Sequence, residues 1–291
     1  MPNQLKDNKI ISIILPAKNE ASSLEALLPS LCQSFSEAEI ILVNDGSTDN
    51  TIDICQQSNI KLINQPYSMG NGAAIKAGAR AATGEVLVFM DADGQHSPSD
   101  IHSLLAEINN GYAMVVGARN HKSQASLGRS LANTIYNRLA SYMVGHSVKD
   151  LTSGFRAVAT DKFREFLHLL PNGFSYPSTS TMAFFRAGYS VKYIPITVHK
   201  REGKSHLNPL KDGARFLLII FKIGTLYSPL KIFLPISAGF FATGLTYYMY
   251  TLFSFNRFTN MSALLFTTSV IIFLIGLVSE QITGLLYTNR K

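Results

Sequence analysis

Two long stretches of this chain carry no charged residue: Ile232 to Phe255 and Met261 to Ser279. At a rise of about 1.5 Å per residue, each is about as long as a helix needs to cross the roughly 30 Å of hydrocarbon in a bilayer. A backbone in lipid must satisfy its own hydrogen bonds, so such runs become helices. A buried hairpin of core helices is the competing reading, and the length of the runs weighs against it. Glu280 interrupts the second run, which continues largely apolar to Tyr287. Pro235 lies near the start of the first, where a membrane helix tolerates it. Lys211, Arg215, Lys222 and Lys231 precede the pair and Arg290 and Lys291 follow it, while the connection from Asn256 to Asn260 holds only Arg257. The positive-inside rule then puts both termini in the cytoplasm and the hairpin tip outside. Tyr247, Tyr248, Tyr250, Phe253 and Phe255 suit an aromatic belt at the outer interface.

Just ahead of the spans, Asn208 to Ser228 sets Lys211, Arg215 and Lys222 around the apolar run Phe216 to Phe221. A basic amphipathic helix lying on the membrane is expected there, with an ordinary domain-surface helix as the alternative. The formal net charge of +7 raises the question of nucleic acid. Much of the excess surrounds this segment, so anionic lipid accounts for it better and no nucleic-acid partner is expected. The opening "MPNQLKDNK" is polar, unlike a signal peptide. Cys32 and Cys55 form no close-spaced pattern and read as free thiols in a reducing compartment.

Charges are spread through the rest of the chain, whose first part alternates short β-rich runs with helix-like segments. That alternation predicts a βαβ parallel sheet. Strands are expected at Ile10 to Leu15, Glu39 to Val43, Lys61 to Ile63, Glu85 to Met90 and Ala113 to Gly117, with nearly continuous apolar runs that suit cover on both faces. Helices are expected to start near Ser22, Thr48, Asn71 and Ser97, with Asp49 or Ser97 as caps and Pro98 in a first turn. Ligands bind such sheets at the carboxyl ends of the strands, and the polar clusters "PAKNE", "NDGSTD", "NQPYSMGNG" and "DADGQH" all follow strands. Each alone is ordinary turn chemistry. Together on one edge they predict a site. Gly70 and Gly72 do not make a dinucleotide fingerprint, because Ile75 stands where a third small residue is needed.

In "VLVFMDADGQHSP" a buried strand ends in two carboxylates one residue apart. Asp91 and Asp93 raise each other's pKa unless a cation or strong donors keep both ionised. Carboxylate oxygens suit Mg²⁺ or Mn²⁺, with Gln95 as a further oxygen and substrate phosphates completing the shell. An Asp-rich capping turn is the plain alternative. His96 reads as a polar loop residue rather than a ligand.

The segments "ISIILPAKNE", "IILVNDGSTDNT", "NGAAIKAG", "VFMDADGQH", "VVGAR", "DLTSGFR" and "KREGKSH" follow in order the motifs of family 2 glycosyltransferases. Most closely they resemble the polyprenyl-phosphate branch typified by dolichol-phosphate mannose synthase and its bacterial polyisoprenyl-phosphate counterparts. The resemblance covers about residues 10 to 207, and paired C-terminal spans fit the bacterial members. It implies a GT-A-type α/β nucleotide-binding sheet in 1–207, a membrane-proximal amphipathic segment in 208–231 and a two-helix transmembrane hairpin in 232–287.

Carried over by position, the resemblance makes Pro16, Lys18 and Glu20 walls and hydrogen-bond partners of the nucleotide, with Asp45 reading the base. Asp91, Ala92 and Asp93 would bind the nucleotide diphosphate, and Asp91, Asp93 and Gln95 the metal. Arg119 would sit near phosphate, where a planar guanidinium pairs well with oxyanions. Asp150 to Arg156 would line the sugar and acceptor pocket. The chain carries Asn44 where many relatives have a first Asp. The family's Arg falls on Arg201 and its Lys on His206, so Lys200, Arg201, Lys204 and His206 all stand as phosphate-binding candidates.

The activity so implied is inverting, metal-dependent sugar transfer from a UDP- or GDP-linked donor to a polyprenyl phosphate such as undecaprenyl phosphate, at the cytoplasmic membrane. The phosphate monoester has a second pKa of about 6 and is already nucleophilic near neutral pH. Asp150 is expected to accept a residual proton or orient the sugar, and Arg201 to assist turnover; a homo-oligomer is compatible with all of this. A processive polysaccharide synthase would carry a Gln-x-x-Arg-Trp motif, and the chain has no Trp. A nucleotidyltransferase would open with a Gly-rich, Arg-containing loop where this chain has "PAKNE". An inactive scaffold would show damage at the acidic motif, and Asp91, Asp93 and Gln95 are intact.

Overall fold

The computed structural model describes residues 10–58, 60–119, 127–173, 175–198, 221 and 224–288. The chain divides into two compact units, one of residues 1–141 with 146–206 and the other of 142–145 with 207–291.

In chain order the first unit contains β1 (Ile11–Ala17), α1 (Ala21–Ser34), β2 (Glu39–Asn44), α2 (Thr51–Gln56), β3 (Lys61–Asn64), α3 (Asn71–Ala81), β4 (Val86–Phe89) and α4 (Ser99–Asn109). There follow β5 (Met114–Arg119), α5 (Leu127–Val144), whose last residues belong to the second unit, β6 (Arg156–Ala159), α6 (Thr160–Arg164), α7 (Tyr176–Arg186) and β7 (Val191–Ile196). The strands form one sheet in the order β3-β2-β1-β4-β6-β5-β7. The first four in that order pair in parallel, as do β5 and β7. Between them β6 runs antiparallel to both neighbours. The five strands expected from the sequence thus run in one direction, as expected, and the sheet is mixed because of β6, which the sequence did not predict. That return strand of only four residues wedges between β4 and β5.

Alternate residues of β1 face opposite layers, as strand geometry requires. Ile13 and Leu15 join a fully buried cluster with Leu24, Leu28 and Leu31 of α1 and Ile101 and Leu104 of α4. Ile14 faces the other way, against α3. A Cβ added at Gly78 would come within 2.4 Å of the Ile14 side chain, so α3 lies close on the sheet because it carries no side chain there.

Local signals behave unevenly. Asp49 accepts from the Thr51 amide at 3.1 Å and the Ala21 amide at 3.1 Å, so one carboxylate joins the first turns of α1 and α2. Ser97 does not cap α4: its hydroxyl meets that of Ser99 at 2.7 Å, and Pro98 occupies the cap position itself. Cys32 and Cys55 are free thiols, and burial pushes Cys55 up to about 11.

The second unit contains two long helices, α8 (Pro229–Phe255) and α9 (Asn260–Thr288). Both are long and apolar enough to cross a membrane. They pack through small residues: Ser237 and Ser269 each donate to the other's carbonyl at 2.9 Å, and Gly244 lies under Leu265 and Phe266. Glu280 accepts the Leu230 amide of the first turn of α8 at 3.3 Å. Carboxylates suit that end, where helix amides lack partners. Large apolar side chains such as Phe241, Phe253, Leu264 and Val278 point outward, the reverse of a soluble helix pair. Most of the expected amphipathic segment lies outside the described residues.

Candidate active site

The carboxyl ends of β1, β2 and β4 open into a cavity of about 400 Å³ lined by Pro16, Lys18, Glu20, Asp45, Asp91, Ala92 and Asp93 together with Ser68, Gly70 and Asn71. The geometry has a local cause. Strands β1 and β4 are register neighbours, so the segments leaving them emerge side by side.

Asp45 is 5 % exposed and does not lie idle in the cavity wall. Its carboxylate accepts from the Met69 amide at 2.6 Å, the Gly70 amide at 3.1 Å and the Ser68 hydroxyl at 2.9 Å. Lys18 donates to Ser68 at 2.9 Å. Lys18, Ser68 and Asp45 thus form a short polar relay that fixes the loop entering α3. Gly70 has φ +101, a conformation that favours glycine, and its missing side chain leaves room for the Asn172 carbonyl.

Asp91 and Asp93 share the cavity. Asp93 accepts the Gln95 amide at 3.2 Å, which closes the turn, while Gly94 takes φ +69. His96 is buried, with its ring stacked on Phe155 at 4.7 Å. Burial holds its pKa below the usual value despite the nearby Asp93 charge, so the ring is neutral and structural at neutral pH. Among the described residues no group of three His, Cys, Asp or Glu gathers as a metal cage. Two hard carboxylates in a cavity large enough for phosphates still fit Mg²⁺ or Mn²⁺, which take few protein ligands and complete their shells with water and substrate oxygens.

Arg119, at the end of β5, meets Asp150 in a two-pronged pair: Nε to Oδ2 at 2.8 Å and Nη2 to Oδ1 at 2.9 Å. Asp150 also accepts the Ser153 amide at 3.1 Å and the Thr152 amide at 3.2 Å. Burial pushes the Asp150 carboxyl up, but the Arg119 hydrogen bonds and charge outweigh it and hold the group below the usual carboxylate range. Burial likewise works against charge on Arg119, and the same pairing raises its pKa overall. A carboxylate in this state is a weak base.

Arg119 also lines a second cavity, of about 490 Å³, together with Arg138, Lys149, Asn137, Ser141 and Tyr193. Among the described residues three cations line it and no carboxylate does. Arg138, Lys149 and Tyr193 belong to none of the sequence motifs and are brought together only by the fold. Lys200, Arg201, Lys204 and His206 lie outside the described residues.

Comparison with known proteins places this architecture. Residues 12–167 match the model described as Glycosyl transferase family 2, and residues 228–285 match the GtrB C-terminal hairpin. The chain belongs to glycosyltransferase family 2, and it is a glycosyltransferase with a GT-A-type sheet. It is 24 % identical to glycosyltransferase AglJ of Haloferax volcanii over 94 % of each chain. It is 28 % identical to the dolichyl-phosphate hexose transferase of the same organism, over 73 % of this chain and 93 % of that one. With the dolichyl-phosphate β-glucosyltransferase ALG5D of Trichomonas vaginalis it shares 33 % identity over 54 % of this chain and 55 % of the relative. Its fold is similar to that of glucosyl-3-phosphoglycerate synthase from Mycobacterium tuberculosis, solved with Mn²⁺ and UDP: TM-score 0.60 and 20 % identity, covering 75 % and 79 % of the two chains.

Proposed function

We propose that the chain transfers a sugar, with inversion, from a nucleotide sugar to a polyprenyl phosphate, most simply undecaprenyl phosphate, at the cytoplasmic face of a membrane. The observation that carries this reading is one strand-end cavity holding Lys18, Glu20, Asp45, Asp91 and Asp93 in a chain that ends in two membrane-length helices. Relatives named as dolichyl-phosphate sugar transferases support the acceptor class.

In this reading residues 1–207 form the transferase domain, 208–231 the membrane-proximal segment and 232–287 the anchor. The nucleotide, UDP or GDP, occupies the cavity walled by Pro16, Lys18 and Glu20. Asp45 acts on it by holding the Ser68–Gly70 loop in place. Asp91 and Asp93, with Gln95, would hold Mg²⁺ or Mn²⁺, which supplies positive charge opposite the departing diphosphate.

The acceptor is a phosphate monoester, and its oxygen needs no strong base to attack the anomeric carbon. Asp150 therefore works as a positioning residue: its two-pronged pair holds Arg119 in the wall of the cation-lined cavity. Arg119, Arg138 and Lys149 give the acceptor phosphate a cationic seat, and Arg201 with Lys200, Lys204 and His206 would close on phosphate from the segment before the anchor. Proximity and charge, rather than proton removal, lower the barrier.

The test is full-length protein in detergent, Mn²⁺, and a panel of radiolabelled UDP- and GDP-sugars with undecaprenyl phosphate. The reading predicts that label from one donor moves into the organic phase only when lipid phosphate is present. Transfer to water or to a protein hydroxyl in its place would refute it.

A further inference from the structure

A residue with no side chain and a buried phenol converge on one of the two cavity carboxylates. Gly154 lies in the turn between Asp150 and β6. A Cβ built on it would lie 3.2 Å from Asp91 Oδ2, 3.5 Å from Asp91 Oδ1 and 3.2 Å from the Tyr176 hydroxyl. No left-handed φ is required at this glycine, so space rather than backbone freedom explains its lack of a side chain. Tyr176 opens α7 and is 2 % exposed. Its hydroxyl donates to the Gly154 carbonyl at 3.3 Å, and its ring packs edge-on against Phe89, two residues before Asp91.

Arg156 ties the segments of this group together. It is wholly buried, and among the described residues none of its hydrogen-bond partners is a carboxylate. Nη2 donates to the Ser153 carbonyl, and Nη1 to the Pro177 carbonyl at 3.0 Å, the Ser180 hydroxyl at 2.9 Å and the Thr181 hydroxyl at 3.0 Å. Ser153 and Pro177 are the chain neighbours of Gly154 and Tyr176. One guanidinium therefore holds both backbone segments that converge on Asp91. Burial without a carboxylate partner disfavours the charged guanidinium, and its shell of hydroxyls and carbonyls is what offsets that cost. Its charge also lies where the Asp91 and Asp150 carboxylates feel it.

We propose that Gly154 and Tyr176 are positioning residues for the Asp91 carboxylate, locked in register by Arg156. Gly154 reserves the volume beside the two oxygens, and Tyr176 forms the wall that stops the carboxylate turning away from the cavity. This rests on the reading of Asp91 as a cation ligand. Supporting partners of metal ligands typically change affinity about 10–100-fold when altered.

The test uses full-length protein in detergent with Mn²⁺ alone as probe, free Mn²⁺ being read by its electron paramagnetic resonance signal. The proteins compared are wild type, Gly154→Ala, Tyr176→Phe and Asp91→Asn. Gly154→Ala should weaken Mn²⁺ binding about tenfold or more and Tyr176→Phe several-fold, with altered bound-Mn²⁺ spectra and thermal midpoints near wild type. If Asp91→Asn loses affinity while both positioning variants bind like wild type, the inference falls and the metal site stands. If wild type does not bind Mn²⁺, or Asp91→Asn binds as well as wild type, the metal reading falls and takes the inference with it. Should Gly154→Ala fail to fold, Tyr176→Phe decides the matter alone.

Discussion

Replacing Asp150 with Asn separates a positioning carboxylate from a catalytic base. The change removes one negative charge facing Arg119 and turns one acceptor oxygen into a donor aimed at the guanidinium donors, which now approach at 2.8 and 2.9 Å. Breaking a buried ion pair by removing one partner costs about 3–5 kcal/mol. The Arg119 side chain keeps 32 % exposure, and solvent therefore recovers part of that. About 2–3 kcal/mol is the expected loss. At roughly 2–4 °C per kcal/mol for a domain of this size, the thermal midpoint should fall by about 4–12 °C at pH 7. The sign with pH follows from the direction of the Asp150 shift, which is downward once the Arg119 contacts outweigh burial. Its stabilisation is fully present above the ordinary carboxylate pKa, about 4, and is lost as pH falls through the lower folded value. The gap between wild type and variant should hold constant from pH 7 to 5 and narrow below about 4. Circular dichroism melts read this directly. Turnover should drop because Arg119 loses its aim, yet the acid limb of the pH–rate profile should stay in place. An unchanged midpoint at pH 7, or an acid limb that disappears in the variant, would refute the positioning argument.

Three further outcomes are expected, the first two from the geometry of the site and the third from the proposed role of Arg201. Gly72→Ala would place a Cβ 2.1 Å from the Pro171 carbonyl oxygen and 2.7 Å from that of Gly173, both backbone; it should cost about 1–3 kcal/mol in unfolding experiments and raise the donor KM. Asp93→Ala should abolish Mn²⁺-dependent turnover, with circular dichroism spectra like wild type. Arg201→Ala should lower kcat at saturating substrates by one to a few powers of ten, about 1.4 kcal/mol per tenfold step, measured by initial rates.

Continuous apolar runs make β1, β2, β4 and β5 legible in the sequence, whereas β3, a half-buried edge strand, is legible only as a short β-rich run between helix-like segments. β1, β2 and β4 lie in the middle or inner part of the sheet, and their side chains have no solvated face to interrupt the pattern. β6 escaped because four residues beginning with an arginine do not read as a strand. Only the structure supplies the carbonyls and hydroxyls that let Arg156 be buried. β7 escaped because Pro195 argues against an inner strand, and it indeed forms the sheet edge. The acidic pair was legible because its two members are one residue apart. The Arg119–Asp150 pair was named residue by residue but not as a pair, since 31 positions separate the partners. Tyr176 left one faint trace, a run of hydroxyl residues through a helix whose first half is wholly buried.

The central claim is that the sugar ends on a lipid phosphate, and phosphorus NMR of the reaction tests it without any label on the sugar. With full-length protein, a competent nucleotide sugar and a short-chain polyprenyl phosphate, the monoester resonance should decline as a phosphodiester resonance and free nucleoside diphosphate grow in equal amounts. A monoester signal that stays constant while nucleoside diphosphate accumulates would contradict the account, because the sugar would then have gone to something other than the phosphate.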